Sequence, residues 1–303
     1  METTRAPTES SRTCDVPFSV KEIGEADDLL AFFRREFEGR NWFFRGHANV
    51  DWCLKSSLER YCDDFGFTSL ERPIVESWLI DDFWRTVAVH DREIPPSNDF
   101  QDILALMQHY GAPTRLLDWS YSPFVATYFA IESSTGASAV WAINGDWLER
   151  EANRVVRSFE PTLPEPTQYD KTRDSDTFLK LFMPHLSVGG SGPGRFVYTV
   201  NPRVLNTRLS IQQGVFTAVG DVSGSFSDNL SRFSEIGQNL VKIVIQEPVG
   251  HAVLAILYRM GISRASLYPG LDGFARSLRA KMHALRAVRT KLRFDPGPSK
   301  TTK

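Results

Sequence analysis

Apolar positions along the chain change period several times, and each change marks an element. From Glu25 to Phe37, Leu29, Leu30, Phe32, Phe33 and Phe37 recur at helical spacing. Asn41 to Gly46 is a short aromatic run closed by glycine, which predicts a strand. Leu70 to His90 predicts a long amphipathic helix with Trp78, Leu79, Phe83, Trp84 and Val87 on one side. Phe100 to His109 predicts another helix, stopped by Gly111 and Pro113. Arg115 to Trp119 reads as a strand, and Pro123 then opens a helix over Phe124 to Ile131. Further strands are expected at Ser138–Asn144, Arg195–Val200, Val215–Val219 and Leu240–Gln246. Helices are expected at Gly250–Met260 and from Leu271 to about Leu292. Residues 161–166 and 189–194 read as loops by their proline and glycine content. Helices and strands mix without a steady βαβ rhythm. The expected class is α+β, one domain with a mixed or mainly antiparallel sheet flanked by helices.

Composition narrows this picture. At 303 residues, 42% apolar and 24% charged, the chain suits an ordinary globular domain, and a formal net charge of −2 argues against binding polyanions over the whole surface. Residues 1–17 are polar and read as a disordered tail, 18–292 as the domain, and 293–303 as a basic C-terminal tail. The three cysteines Cys14, Cys53 and Cys62 are odd in number and lack CxxC spacing, which favours reduced thiols over a disulfide framework or a zinc site. With no signal-like start and no membrane-length apolar run, a cytoplasmic location without membrane contact is expected. The six histidines are scattered, with no HExxH, and no GxSxG or Walker loop occurs, so no metal is expected.

Five segments carry candidate chemistry. Arg45 and Gly46 end the aromatic strand; the guanidinium suits a phosphate or carboxylate, or a buried carboxylate partner. Gln108 to Ser120 packs His109, Tyr110, Arg115, Asp118 and Ser120 around a turn, either as a ligand site or as a buried polar network. Gln212 and Gln213 precede a glycine and a strand, where their amides could read a ligand or satisfy a hairpin. Asp272 in the Leu267–Ala275 turn reads as a helix N-cap. The last helix carries seven basic residues from Arg276 to Arg293 with no acid among them, as a solvated face or as a surface for nucleic acid or an acidic protein partner.

Together these segments resemble the FRG domain family, on Phe44-Arg45-Gly46, Trp52, Ser57-Leu58-x-Arg60 and Gln108-His109-Tyr110-Gly111-x-Pro113-Thr114-Arg115-Leu116-Leu117-Asp118-Trp119. The resemblance continues through Pro123-x-Val125-Ala126-x-x-Phe129-Ala130, Gln213-Gly214-x-Phe216 and Pro269-x-Leu271-Asp272-Gly273, from about residue 25 to about residue 280. The family is largely bacterial and its activity is poorly defined. A weaker similarity, to arginine-type ADP-ribosyltransferases, rests on Arg45-Gly46, on Ser120-Tyr121-Ser122-Pro123-x-Val125-Ala126-x-x-Phe129, and on Gln212-Gln213-Gly214 where those enzymes carry a catalytic glutamate. It implies an ADP-ribosyltransferase-like fold and a nucleotide-type pocket with NAD as substrate, in an effector of bacterial stress or phage defence. Arg45, Gly46, Tyr110, Arg115 and Ser120 would hold the ligand, and Gln213, His109 and Asp118 would serve the chemistry. A neutral amide at Gln213 cannot supply the negative charge of a glutamate, so Asp118 or Glu247 would have to. The alternative is a non-catalytic module for a nucleotide or nucleic acid.

Overall fold

The computed structural model describes Cys14 and residues 16–39, 41–90, 100–159, 194–202, 207–271 and 273–278. Its strands are β1 (Ser19–Ile23), β2 (Trp42–His47), β3 (Leu116–Ser120), β4 (Ser138–Asn144), β5 (Val197–Val200), β6 (Gly214–Val219) and β7 (Leu240–Ile245). The longer helices are α1 (Ala26–Phe37), α2 (Ser57–Asp64), α3 (Arg72–His90), α4 (Phe100–His109), α5 (Pro123–Ile131), α6 (Gly145–Phe159) and α7 (Glu247–Arg259). The strands form one sheet in the order β1-β7-β4-β2-β3-β6-β5. β1 runs parallel to β7 and the other pairings are antiparallel. The α+β class with a mixed, mainly antiparallel sheet is therefore what the chain adopts.

Burial of both sheet faces explains the apolar runs. In β4, Trp141 and Ile143 point into one core while Val140 and Ala142 point into the other, as period-two geometry requires. The first core is covered by α2, α3, α4 and α6, through side chains such as Leu58, Ile80, Leu104 and Leu148. The second is covered by α1, α5 and α7, through Phe33, Tyr128 and Val253. Helix α5 begins where Ser122 caps it: its Oγ accepts from the Val125 N–H at 3.3 Å, and Pro123 sits in the first turn.

Glycine is required at position 46. A Cβ there would lie 2.1 Å from the Ala126 carbonyl oxygen and 2.5 Å from the Ala130 nitrogen, both backbone atoms of α5. It is thus a helix that comes close to the strand at this glycine. Gly46→Ala is expected to destabilise the domain by about 1–3 kcal/mol or more, because neither backbone can move aside cheaply. Thermal unfolding reads this, and an unchanged melting temperature would show that the α5 contact is looser than described.

Two expectations are corrected. Cys14 and Cys53 are joined in a disulfide, with Cα atoms 5.6 Å apart, and Val16 is buried in the first core. Only Cys62 stays a free thiol, buried on α2. An odd cysteine count hid a pairing that depends on where the N-terminal strand β1 is docked. Trp78 is exposed on α3, not in its buried face, which is formed by Glu76, Ile80 and Val87. The expected loop at 161–166, most of that at 189–194, Asp272, and the last helix beyond Leu278 lie outside the described residues. No helix among the described residues is long and apolar enough to cross a membrane.

Candidate functional site

β2 pairs with β3 at a single position, Phe44 opposite Ser120, while each is fully laddered to its other neighbour. Beyond that pair a cleft of ≈ 220 Å³ opens. Arg45, Gly46, Asp118 and Ser120 line it from the strands, and Phe129 from α5. Arg208, Gln212 and Tyr268 form the opposite wall.

Arg45 is the fixed cation of this cleft, its side chain 17% exposed. Nη1 donates to the Asp118 carbonyl at 2.7 Å, standing in for a strand-to-strand bond between β2 and β3. Nε donates to His47 Nε2 at 3.2 Å. Among the described residues Nη2 has no protein acceptor, which leaves one donor edge for a ligand. Burial pushes the guanidinium below its ordinary pKa and the Asp118 carboxylate opposes that shift. The group stays cationic, since arginine does not lose its proton in proteins.

His47 sets the orientation of Arg45. Its ring is buried, with Nδ1 3.2 Å from the Trp52 carbonyl. That carbonyl needs a donor, so Nδ1 carries the proton and Nε2 is free to accept from Arg45. Burial, and then the Arg45 cation, push the imidazole down to about 3, so it is neutral at ordinary pH.

Asp118 supplies the negative charge at the rim, its side chain 55% exposed and one carboxylate oxygen 3.7 Å from Arg45 Nη1. Gln108 Nε2 donates to that same oxygen at 2.9 Å. The Gln108 carbonyl oxygen accepts from Thr114 Oγ1 at 2.5 Å. The Gln108-to-Asp118 segment is therefore a brace: its amide links the turn to the rim carboxylate. Ser120 is buried, donating to the Gln212 carbonyl at 2.7 Å and accepting from the Ser122 N–H at 3.0 Å, so it positions backbone.

The far wall is aromatic and basic. Arg208 lies 4.5 Å and Arg264 4.7 Å from the centre of the Tyr268 ring. Phe129 meets the same ring edge to face at 6.0 Å. Gln212 Nε2 donates to the Leu267 carbonyl at 3.0 Å, tying this wall together.

Of the residues singled out in the sequence, Arg45, Gly46, Asp118 and Ser120 line this one cleft. Arg115 does not join them. It is fully buried, forms a two-pronged ion pair with Glu76, and donates Nη1 to the carbonyls of Val219 at 3.1 Å and Gly220 at 3.3 Å. Gln213 stands outside the cleft lining on a left-handed backbone, φ 48°, with its side chain exposed; Gln212 lines the cleft instead. Tyr110 is exposed and outside the lining. His109 is also outside the lining; burial, and then the Arg208 cation, lower its pKa. Glu247 opens α7, away from these residues in the lining. Arg208 and Tyr268 stand outside the expected site residues; Tyr268 lies in the Leu267–Ala275 turn and Arg208 four residues before Gln212. Among the described residues no cluster of histidine, cysteine and acidic side chains could hold a metal ion.

Residues 40–138 match the FRG domain family. The chain carries an FRG domain. The matched span contributes Arg45, His47, Gln108 and Asp118, while the wall of Arg208, Gln212 and Tyr268 lies C-terminal to it. No curated protein matches the chain, and no solved structure matches it.

Proposed function

We propose that the FRG domain binds a nucleotide-type anion in the β2/β3 cleft, with Arg45 gripping its phosphate. The observation that carries this reading is a recessed guanidinium, locked by His47 and the Asp118 carbonyl, that keeps one donor edge without a protein acceptor. Arg208 adds a second cation, and Tyr268 and Phe129 add aromatic surface against which a sugar or base could rest. A volume of ≈ 220 Å³ suits a phosphoribosyl fragment better than a whole dinucleotide, so an NAD-like ligand would insert one half. A recessed site also favours a small ligand over a nucleic-acid polymer, whose phosphates would be met by exposed charge.

Titration calorimetry with ADP-ribose, AMP and inorganic phosphate tests it. Binding is expected, and Arg45→Ala should weaken it by roughly 10- to 100-fold, the loss of a charge-assisted contact of about 1.5–3 kcal/mol. Equal affinity in wild type and Arg45→Ala, or no binding to the wild type, would remove the proposal. A second reading, NAD cleavage or ADP-ribose transfer, rests on Asp118, the carboxylate that lines the cleft and is held by Gln108. Any effector role in bacterial stress or phage defence depends on that second reading. Asp118→Asn should then keep ligand binding and abolish nicotinamide release, and a wild type that releases none discards the second reading alone.

A further inference from the structure

The outward side of α3 is opposite in charge at its two ends. Away from the buried residues Glu76, Ile80 and Val87, one stripe runs through Glu71, Ile74, Trp78, Arg85 and Val89. Their spacings of three, four and seven residues bring them to one side of the helix. Ile74 is 53% exposed, Trp78 68% and Val89 80%, and both charged residues are exposed. Scattered exposed apolar residues need no explanation, but aligned ones mark a contact surface. Trp78 stands at the centre, with an acid seven residues before it and a base seven residues after it.

The acid is fixed in place. Glu71 is the residue directly before α3, and one of its carboxylate oxygens accepts from the Thr68 N–H at 2.8 Å and from Thr68 Oγ1 at 2.7 Å. Its other oxygen has no bonding partner among the described residues. Asp81 and Asp82 are exposed to either side of the stripe, at the wet edges of any contact made along it.

A surface of this kind complements itself. When two α3 helices cross a two-fold axis antiparallel at Trp78, residues equally far before and after Trp78 face each other. The two Trp78 rings then meet on the axis, and Glu71 of each copy faces Arg85 of the other. Parallel pairing would instead set Glu71, Asp82 and Arg85 each against its own like charge. Moving the antiparallel axis two residues toward the helix start would put Trp78 over Ile74, but it would set Glu71 against Asp81 and leave Arg85 without an acid. Charge thus selects one register, as it does between paired helices generally.

We infer that the outward face of α3 docks on the same face of a second copy, antiparallel and centred on Trp78, with two Glu71–Arg85 ion pairs closing its ends. One surface makes the whole contact, so the assembly stops at a dimer. A single helix pair lies at the small end of stable interfaces, so the dimer forms at micromolar concentrations. No α3 residue lines the ligand cleft, and the contact does not depend on what the cleft binds.

Light scattering on the full-length protein across micromolar concentrations tests it, with circular dichroism confirming that each variant folds. The wild type is expected to dimerise, and Trp78→Asp should weaken this at least about tenfold. Glu71→Arg alone puts arginine against arginine at both ends, and Arg85→Glu alone puts glutamate against glutamate. Each should weaken dimerisation by roughly three- to tenfold. Mixing these two single variants restores both ion pairs, so the mixed dimer should form more tightly than either variant pairs with itself. That recovery also shows that neither variant is merely misfolded. A wild type that stays monomeric overturns the inference, whether α3 is then covered by another part of its own chain or left bare. So does a dimer indifferent to Trp78→Asp, or a mixture that associates no better than its components.

Discussion

Arg115→Ala is expected to lower stability by about 3–5 kcal/mol, among the largest effects of any single substitution in this domain. Arg115 and Glu76 are each 1% exposed, and the guanidinium fork meets both carboxylate oxygens. Removing the cation leaves a carboxylate in the core with no counter-charge. It also leaves the Val219 and Gly220 carbonyls without the Nη1 donor. For a chain of this size the melting temperature should fall by roughly 10 °C, if the variant folds at all. The double variant Arg115→Met, Glu76→Leu removes both charges and fills similar volume, so it should recover much of the loss. Recovery should be incomplete because the two carbonyls still lack their donor. The double variant should also bind ligand like wild type, since neither residue lines the cleft. A loss of under 2 kcal/mol in Arg115→Ala, or lost binding in the stable double variant, would contradict this placement.

That ion pair shows where the sequence stops being readable. A motif arginine beside Asp118 suggests a local partner or a ligand. Its partner is Glu76, 39 positions away on α3. Glu76 itself looks like a surface charge on an amphipathic helix, and nothing local in the sequence shows that it is buried beside Arg115. The central elements were legible because burial on both faces imposes continuous apolar runs, as in β4. β1 was not, since four of its five residues are exposed and it has no apolar alternation. α6 is no easier to read: it starts at Gly145, directly after β4 ends at Asn144, with no linker to announce it. Its apolar positions Trp147, Leu148, Ala152, Val155 and Val156 would have revealed it.

In the cleft, the limit was one residue. Gln212 and Gln213 are indistinguishable by composition. The left-handed backbone at Gln213, φ 48°, carries the turn into β6 and leaves Gln212 facing Tyr268 and the cleft. Likewise the motif from Gln108 to Trp119 was recognisable as a unit, but its parts serve different ends. Gln108 braces Asp118, Arg115 holds the core, and the Trp119 ring nitrogen donates to Thr217 Oγ1 at 2.9 Å. Recurrence of residue types identified the FRG domain without dividing its residues between ligand and scaffold.

Stability against pH should expose two buried groups whose effects oppose each other. His47 is neutral in the folded chain, its pKa lowered from 6.5 to about 3 by burial and then by Arg45. Between those values the unfolded chain holds one more proton, so acidification from pH 6.5 toward 3 destabilises, by on the order of 5 kcal/mol in all. Glu59 is buried on α2, and burial raises its carboxyl from 4.5 to about 7 against the pull of Lys55 and Arg72. Here the folded chain holds the extra proton, so raising the pH from 4.5 through 7 destabilises, by on the order of 3 kcal/mol. The slopes are equal and opposite between pH 4.5 and 6.5, and they cancel there. Asp63 and Asp228 have pKa values below the ordinary 3.8, so their losses fall at lower pH, outside this window. The wild-type melting temperature should therefore change little from pH 4.5 to 6.5, apart from a fall on acidification from 6.5 contributed by His109, whose pKa burial and the Arg208 cation also lower. Glu59→Gln should remove one slope and fall steadily as pH drops below 6.5. His47→Gln should do the reverse, losing stability as pH rises from 4.5 to 7, and should loosen Arg45 by removing its Nε acceptor or placing it less well. Melting curves for the three proteins at half-unit pH steps decide it. Parallel wild-type and Glu59→Gln profiles across the window would mean that the Glu59 carboxyl is not held protonated by its burial, and the cancellation would not exist.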